Sequence, residues 1–132
     1  MNDCEVKVFN RVHASVAPLC AKNRFVSTVI TEPPTAFPAA SLIEIDNRTV
    51  QRLQGSSPVE NFSLVSYQLD VYANSKAKCR EVYSVADDAM IAMNFTRTSG
   101  MYINNLDNTQ VFRYSSRYVA IVDREGNLYR RS

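Results

Sequence analysis

A side chain that moves protons, ligates a metal or attacks a carbonyl needs a partner at a defined spacing, and this sequence offers few. Its only histidine, His13, falls between Phe9 and Val16 on the apolar side of a helical pattern. Neither a second ligand nor a triad partner stands at a fixed distance from it, so a partly buried structural histidine is expected. The three cysteines, Cys4, Cys20 and Cys79, are odd in number and widely spaced. That argues against a disulfide framework and against a zinc site, and fits a reducing compartment. Cys79 reads as a small core residue. Asp87 and Asp88 are adjacent, but neighbours on a helix diverge by about 100° and do not form one carboxylate site. They are expected on a solvated face or at a partner contact. The glycines stand only at Gly55, Gly100 and Gly126, which rules out a glycine-rich phosphate loop. The residues therefore predict a chain that is not an enzyme, with no catalytic residue, no metal ligand and no cofactor.

Two further constellations invite a binding reading. Glu44, Asp46 and Asp70 are expected near one another across a hairpin, either as an acidic patch or as the exposed side of a sheet. In the last third, Tyr102, Tyr114, Tyr118 and Tyr129 alternate with Arg113, Arg117, Arg124, Arg130 and Arg131. Single-strand nucleic-acid binders combine these residue types. The chain carries a formal net charge of only +2 and no ribonucleoprotein-type strand signature, so sheet packing with protein contact is the favoured reading. Eleven arginines against four lysines point the same way, because arginine is enriched at interface cores where lysine is depleted.

The elements that would position these residues follow from periodicity. At 132 residues, with 45% hydrophobic and 21% charged residues, the chain suits one globular domain. The N-terminus lacks the apolar core of a signal peptide, and no stretch approaches the ~18 apolar residues of a membrane span. Three glycosylation sequons, at Asn47, Asn61 and Asn94, are therefore read as chance. A first helix is expected over about Asp3 to Cys20, capped by Asn2 or Asp3. Its apolar stripe is read as Val6, Phe9, Val12, His13, Val16, Leu19 and Cys20, and Pro18 conflicts with the last turn. Arg24 to Ile30 reads as a strand, and Thr31 to Pro38 as a proline-rich extended connector pinned by Phe37.

Ala40 to about Gln54 and Val59 to Ala73 then read as the arms of a β-hairpin around a Gly55-Ser-Ser-Pro58 turn. Each arm is well beyond the usual ~5–6 residues, so the tip is expected to protrude. Ser63, Val65, Tyr67, Leu69, Val71 and Ala73 form the more apolar face of the return strand and should meet the core. A second helix spans about Ser75 to Met93, capped by Asn74 or Ser75. Its apolar stripe is Cys79, Val82, Tyr83, Ala86, Met90 and Met93. Strands Phe95 to Ile103, interrupted near Gly100, and Gln110 to Asp123 follow, then a turn at Glu125 to Asn127 and a short strand from Leu128. The order α-β-β-β-α-β-β-(β) predicts an α+β fold: a mostly antiparallel mixed sheet, two helices on one face, and a long protruding hairpin.

The segment Tyr67-Gln-Leu-Asp-Val-Tyr-Ala73 begins a resemblance. This strand leads directly into the helix Asn74 to Met93, then Asn94-Phe-Thr-Arg97, a polar loop, and the arginine-rich strand Phe112-Arg-Tyr-Ser-Ser-Arg-Tyr118. With the preceding Glu32-Pro-Pro34, this resembles the tail completion proteins of long-tailed bacteriophages, also called tail terminators or tail-to-head joining proteins. The resemblance covers nearly the whole chain and is carried by pattern rather than by invariant signatures. It implies a virion protein at the tail–neck junction, in a hexameric ring that ends tail-tube polymerisation. Its partners would be further copies of itself, the tail tube protein and the head–neck connector or stopper protein. DNA would pass through the lumen without specific binding, and the family brings no catalytic residues.

Within that expectation the contact residues are Arg48, Val50, Arg52, Leu53 and Val59 on the hairpin, with Arg113, Arg117, Tyr129 and Arg130 near the C-terminus. These form two distinct patches, as a ring requires. Glu44, Asp46 and Asp70 are the lumen-facing acids, since a channel for DNA should not hold phosphates. A neck stopper or adaptor, or a minor tail protein, is the neighbouring alternative. A small ligand-binding domain with His13, Asp70 or Tyr72 lining a pocket, or a nucleic-acid-binding domain, is the alternative of a different class.

Overall fold

Pro18 fixes where the first helix stops. A computed structural model describes residues 4–20, 25–26, 38–49, 62–103 and 112–130. In it, helix α1 (Glu5–Val16) gives way to a single 3-10 turn, Ala17–Leu19, that accommodates the proline. Cys4 occupies the N-cap and makes no side-chain cap bond. The buried stripe is Cys4, Val8, Val12 and Val16, an unbroken step of four residues. This corrects the expected stripe: Val6 is 70% exposed and His13 is exposed. Val8 completes the buried stripe, and Val6 and His13 lie off it.

Strand β1 (Phe25–Val26) runs parallel to β2 (Ala39–Thr49), with Phe25 opposite Ala40. β2 pairs antiparallel with β3 (Phe62–Ala73), from Ala39↔Tyr72 to Thr49↔Ser63. A bulge at Ile45 shifts the register between Glu44 and Asp46. β3 also pairs along its whole length with β5 (Phe112–Asp123), from Phe62↔Asp123 to Ala73↔Phe112. Over its described length β3 therefore lies inside the sheet, between β2 and β5. The expected protruding tip, with Val50, Arg52, Leu53 and Val59, lies outside the described residues, as does the proline connector.

The second helix, α2 (Lys76–Ala92), begins where Ser75 Oγ accepts from the Lys78 amide at 3.1 Å. It ends in a left-handed residue, Asn94, with φ of 73°. The Phe95 amide donates to Met90 O and the Asn94 amide to Ile91 O, the paired bonds that close a helix C-terminus. Phe95 is buried and packs into the same core as Met90, while Asn94 Nδ2 donates to Leu128 O at 3.0 Å.

Strand β4 (Thr96–Ile103) runs unbroken through Gly100 and pairs antiparallel with β5, with a register shift between Arg97 and Ser99. The short β6 (Leu128–Tyr129) pairs with Ile121 and Val122 of β5. The strand order is β1-β2-β3-β5-β4, with β6 also on β5. The fold is α+β, and the sheet is mostly antiparallel, as expected.

The alternation expected in β3 holds. Ser63, Val65, Tyr67, Leu69, Val71 and Ala73 are all buried. The five apolar ones join Cys79, Val82, Tyr83, Ala86 and Met90 of α2 and the α1 stripe in one core. That alternation decides which side chains of each strand face the helices and which face away.

Candidate assembly surface

Alternation splits the tyrosines of β5 from its arginines. Tyr114 and Tyr118 face the helices; Arg113 and Arg117 face the other side of the sheet. Tyr118 is fully buried, and its hydroxyl donates to Asp87 Oδ1 of α2 at 2.6 Å. Arg97 of β4 reaches the same point, donating to Tyr83 Oη at 2.7 Å and lying 3.2 Å from Asp87 Oδ1. Burial first, and then the bond to Asp87, pushes the Tyr118 hydroxyl far above its ordinary pKa. Burial likewise pushes Tyr83 up to about 12. Both phenols therefore stay protonated donors. Asp87, expected on a solvated face or at a partner contact, instead ties α2 to β4 and β5, while Asp88 is exposed. Sequence spacing could not join residues 87, 97 and 118; the β4–β5 register does.

On the face away from the helices, Arg113 makes a 3.1 Å ion pair with Asp70 and lies 5.5 Å from the Tyr72 ring centre. Gln68 Nε2 donates to the other Asp70 oxygen at 3.0 Å. Asp70 is buried, so this pair is a neutralised unit rather than a bare acid. Glu44 sits opposite Tyr67 and accepts its hydroxyl proton at 3.2 Å, which places it on the helix side. Asp46, past the bulge, accepts from Arg48 Nε at 2.8 Å. The three acids thus do not converge: the bulge at Ile45 separates Glu44 from the face that holds Asp46 and Asp70.

Arg117 is exposed on β5, opposite Ser99 of β4. Tyr129 is 47% exposed; its hydroxyl donates to Asp123 Oδ2 at 3.0 Å, and its ring meets Phe62 edge-on at 6.4 Å. Arg130 follows it and is exposed. Arg113, Arg117 and Tyr129 therefore share the face away from the helices. Arg48, opposite Leu64, lies on that face at the far end of β2.

His13 and Cys79, expected as structural residues, differ in burial. His13 is exposed rather than partly buried, and its ring centre lies 5.7 Å from that of Phe9, tilted, and 5.7 Å from that of Phe25, edge-on. Cys79 is fully buried, and desolvation pushes its thiol up to about 11, the wrong direction for a nucleophile. Among the described residues, no three His, Cys, Asp or Glu side chains gather as a metal site. Among the same residues, no helix is long and apolar enough to cross a membrane.

No family model matches the chain, and no curated protein does. The fold itself does have solved counterparts. One is a chain of the structure "Virion of native gene transfer agent (GTA) particle", with a TM-score of 0.63 at 13% identity over 88% of this chain and 91% of that one. At that identity the likeness establishes a shared fold, nearly end to end in both chains.

Proposed function

We propose that this chain is a structural virion protein that caps the head-proximal end of a phage tail tube as a ring. In that role it ends tube polymerisation and joins the tail to the neck, with DNA passing through the lumen. The observation that carries the reading is the nearly full-length fold likeness to a chain of a virion particle, joined to the tail-terminator pattern of the sequence. The described chemistry agrees with it. Among the described residues, Asp70, Cys79, Asp87 and Tyr118 are tied into the core or the sheet, while Arg117 and Tyr129 are exposed on the sheet face away from the helices.

Six-fold order, the tube and connector partners, and the tail–neck position belong to this proposal, as does the absence of catalysis. The ionic pairing of Asp70 with Arg113 fits a face that neither attracts nor repels a polyanion strongly. A stacking platform for single-stranded nucleic acid is disfavoured, because Tyr114 and Tyr118 face the helices while the arginines face away.

Loss of the protein tests the role. Particles lacking a terminator should carry tubes of uncontrolled length or tails that do not join heads. Filled heads that leak DNA while tails keep their normal length would instead indicate a neck stopper, and would overturn the terminator reading.

A further inference from the structure

Strand β4 closes one end of the sheet order, and among the described residues no strand pairs with its outer edge. From Arg97 to Tyr102 every residue is exposed, with Met101 at 59% and Tyr102 at 37%. Between Thr98 and Ile103 the strand has no charged residue and no proline, the devices that normally keep an edge from adding another strand. Its one protective feature is the register shift before Ser99. An unguarded edge of this length presents backbone donors and acceptors ready for strand addition.

Strand polarity selects the occupant. Successive antiparallel pairings of β2 with β3, β3 with β5 and β5 with β4 make β2 and β4 run in opposite directions, and β1 runs with β2. If a second copy continues the sheet in the same sense, its β1–β2 end meets β4 antiparallel, the stronger ladder. Charge agrees. The β4 end carries exposed Arg117 and, over the Tyr102 ring at 4.9 Å, Lys76. The β2 end carries Glu44 and Asp46, offset in part by Arg48. Such a contact joins two different patches and propagates head to tail, which closes into a ring when the rotation allows.

We infer that β4 of one copy adds antiparallel to the β1–β2 end of the next copy. This deepens the ring reading above and rests on it for its biological setting.

The test places p-benzoylphenylalanine at Met101 in the full chain, irradiates it at high protein concentration, and maps the crosslinked peptides. The expected product joins position 101 to a neighbour's β1 (Phe25–Val26) or β2 (Ala39–Thr49). In parallel, Met101→Glu should weaken self-association by roughly tenfold, and more than Met101→Lys, because position 101 shares the face of Asp46 in a sheet continued from copy to copy. Crosslinks from β4 to β4, crosslinks elsewhere in an intact oligomer, or a chain that stays monomeric at every accessible concentration would each overturn the edge contact. So would an unchanged association constant in Met101→Glu. Crosslinks at the expected site in open filaments would keep the edge contact while counting against a closed ring.

Discussion

Tyr118→Phe removes one hydroxyl and no packing volume, so its cost isolates the bond between β5 and α2. The lost group donates to Asp87 at 2.6 Å and accepts from Ser116 Oγ at 3.3 Å. A hydrogen bond to a charged acceptor contributes about 1.5–3 kcal/mol, and removing one partner leaves the other poorly solvated. The Asp87 side chain is only 18% exposed, so water replaces the donor poorly. It keeps Arg97 and the weaker Tyr83 contact at 3.4 Å, which holds the expected loss near ~2 kcal/mol. With ~2.1 cal/mol/K of unfolding entropy per residue over 132 residues, that lowers Tm by about 7 °C. Urea denaturation and calorimetry read both numbers, and far-UV circular dichroism confirms that the fold persists. A double-mutant cycle with Asp87→Ala should show a coupling above ~0.5 kcal/mol. A Tyr118→Phe protein within ~0.5 kcal/mol of wild type, or an additive cycle, would refute the idea that this bond clamps the helix to the sheet.

Two further outcomes test other parts of the fold. A Cβ added at Gly100 would meet Tyr114 Oη at 2.6 Å, and that ring is held between Tyr83 and Tyr102. Gly100→Ala should therefore cost about 1–3 kcal/mol, and Tyr114→Phe should recover part of it; a neutral Gly100→Ala would show that the ring shifts freely. Asp123 accepts from the Asn127 and Glu125 amides, from Asn127 Nδ2 and from the Tyr129 hydroxyl, and these bonds, led by Asn127, hold its carboxyl below the usual range. Its contribution to stability is present above the ordinary carboxylate pKa and is lost as pH falls through the lowered folded value. Side-chain NMR should find Asp123 among the most acidic carboxyls, and an ordinary titration would contradict that turn.

Much of the fold was legible because two periods carry it. The two-residue alternation from Ser63 to Ala73 and the stripe from Cys79 to Met90 each match a buried face. The first helix was harder, because Val6 and Val8 are both apolar and two residues apart, so either could anchor the stripe. Only packing into the core shared with α2 selects Val8. The acids were misplaced for a different reason. Their convergence assumed a regular ladder, and the bulge at Ile45 reverses which face Glu44 shares. The clamp at Asp87 could not be read from spacing, since Tyr118 and Arg97 reach it from two strands.

The central claim is a place in a particle. Cryo-electron microscopy of intact virions, with this fold fitted to the density between tail tube and head, tests it most directly. The account predicts a single ring of copies on the last tube layer, with β4 of each copy against the β1–β2 end of its neighbour. Particles complete in head, neck and tail that contain no copy of this chain would contradict it.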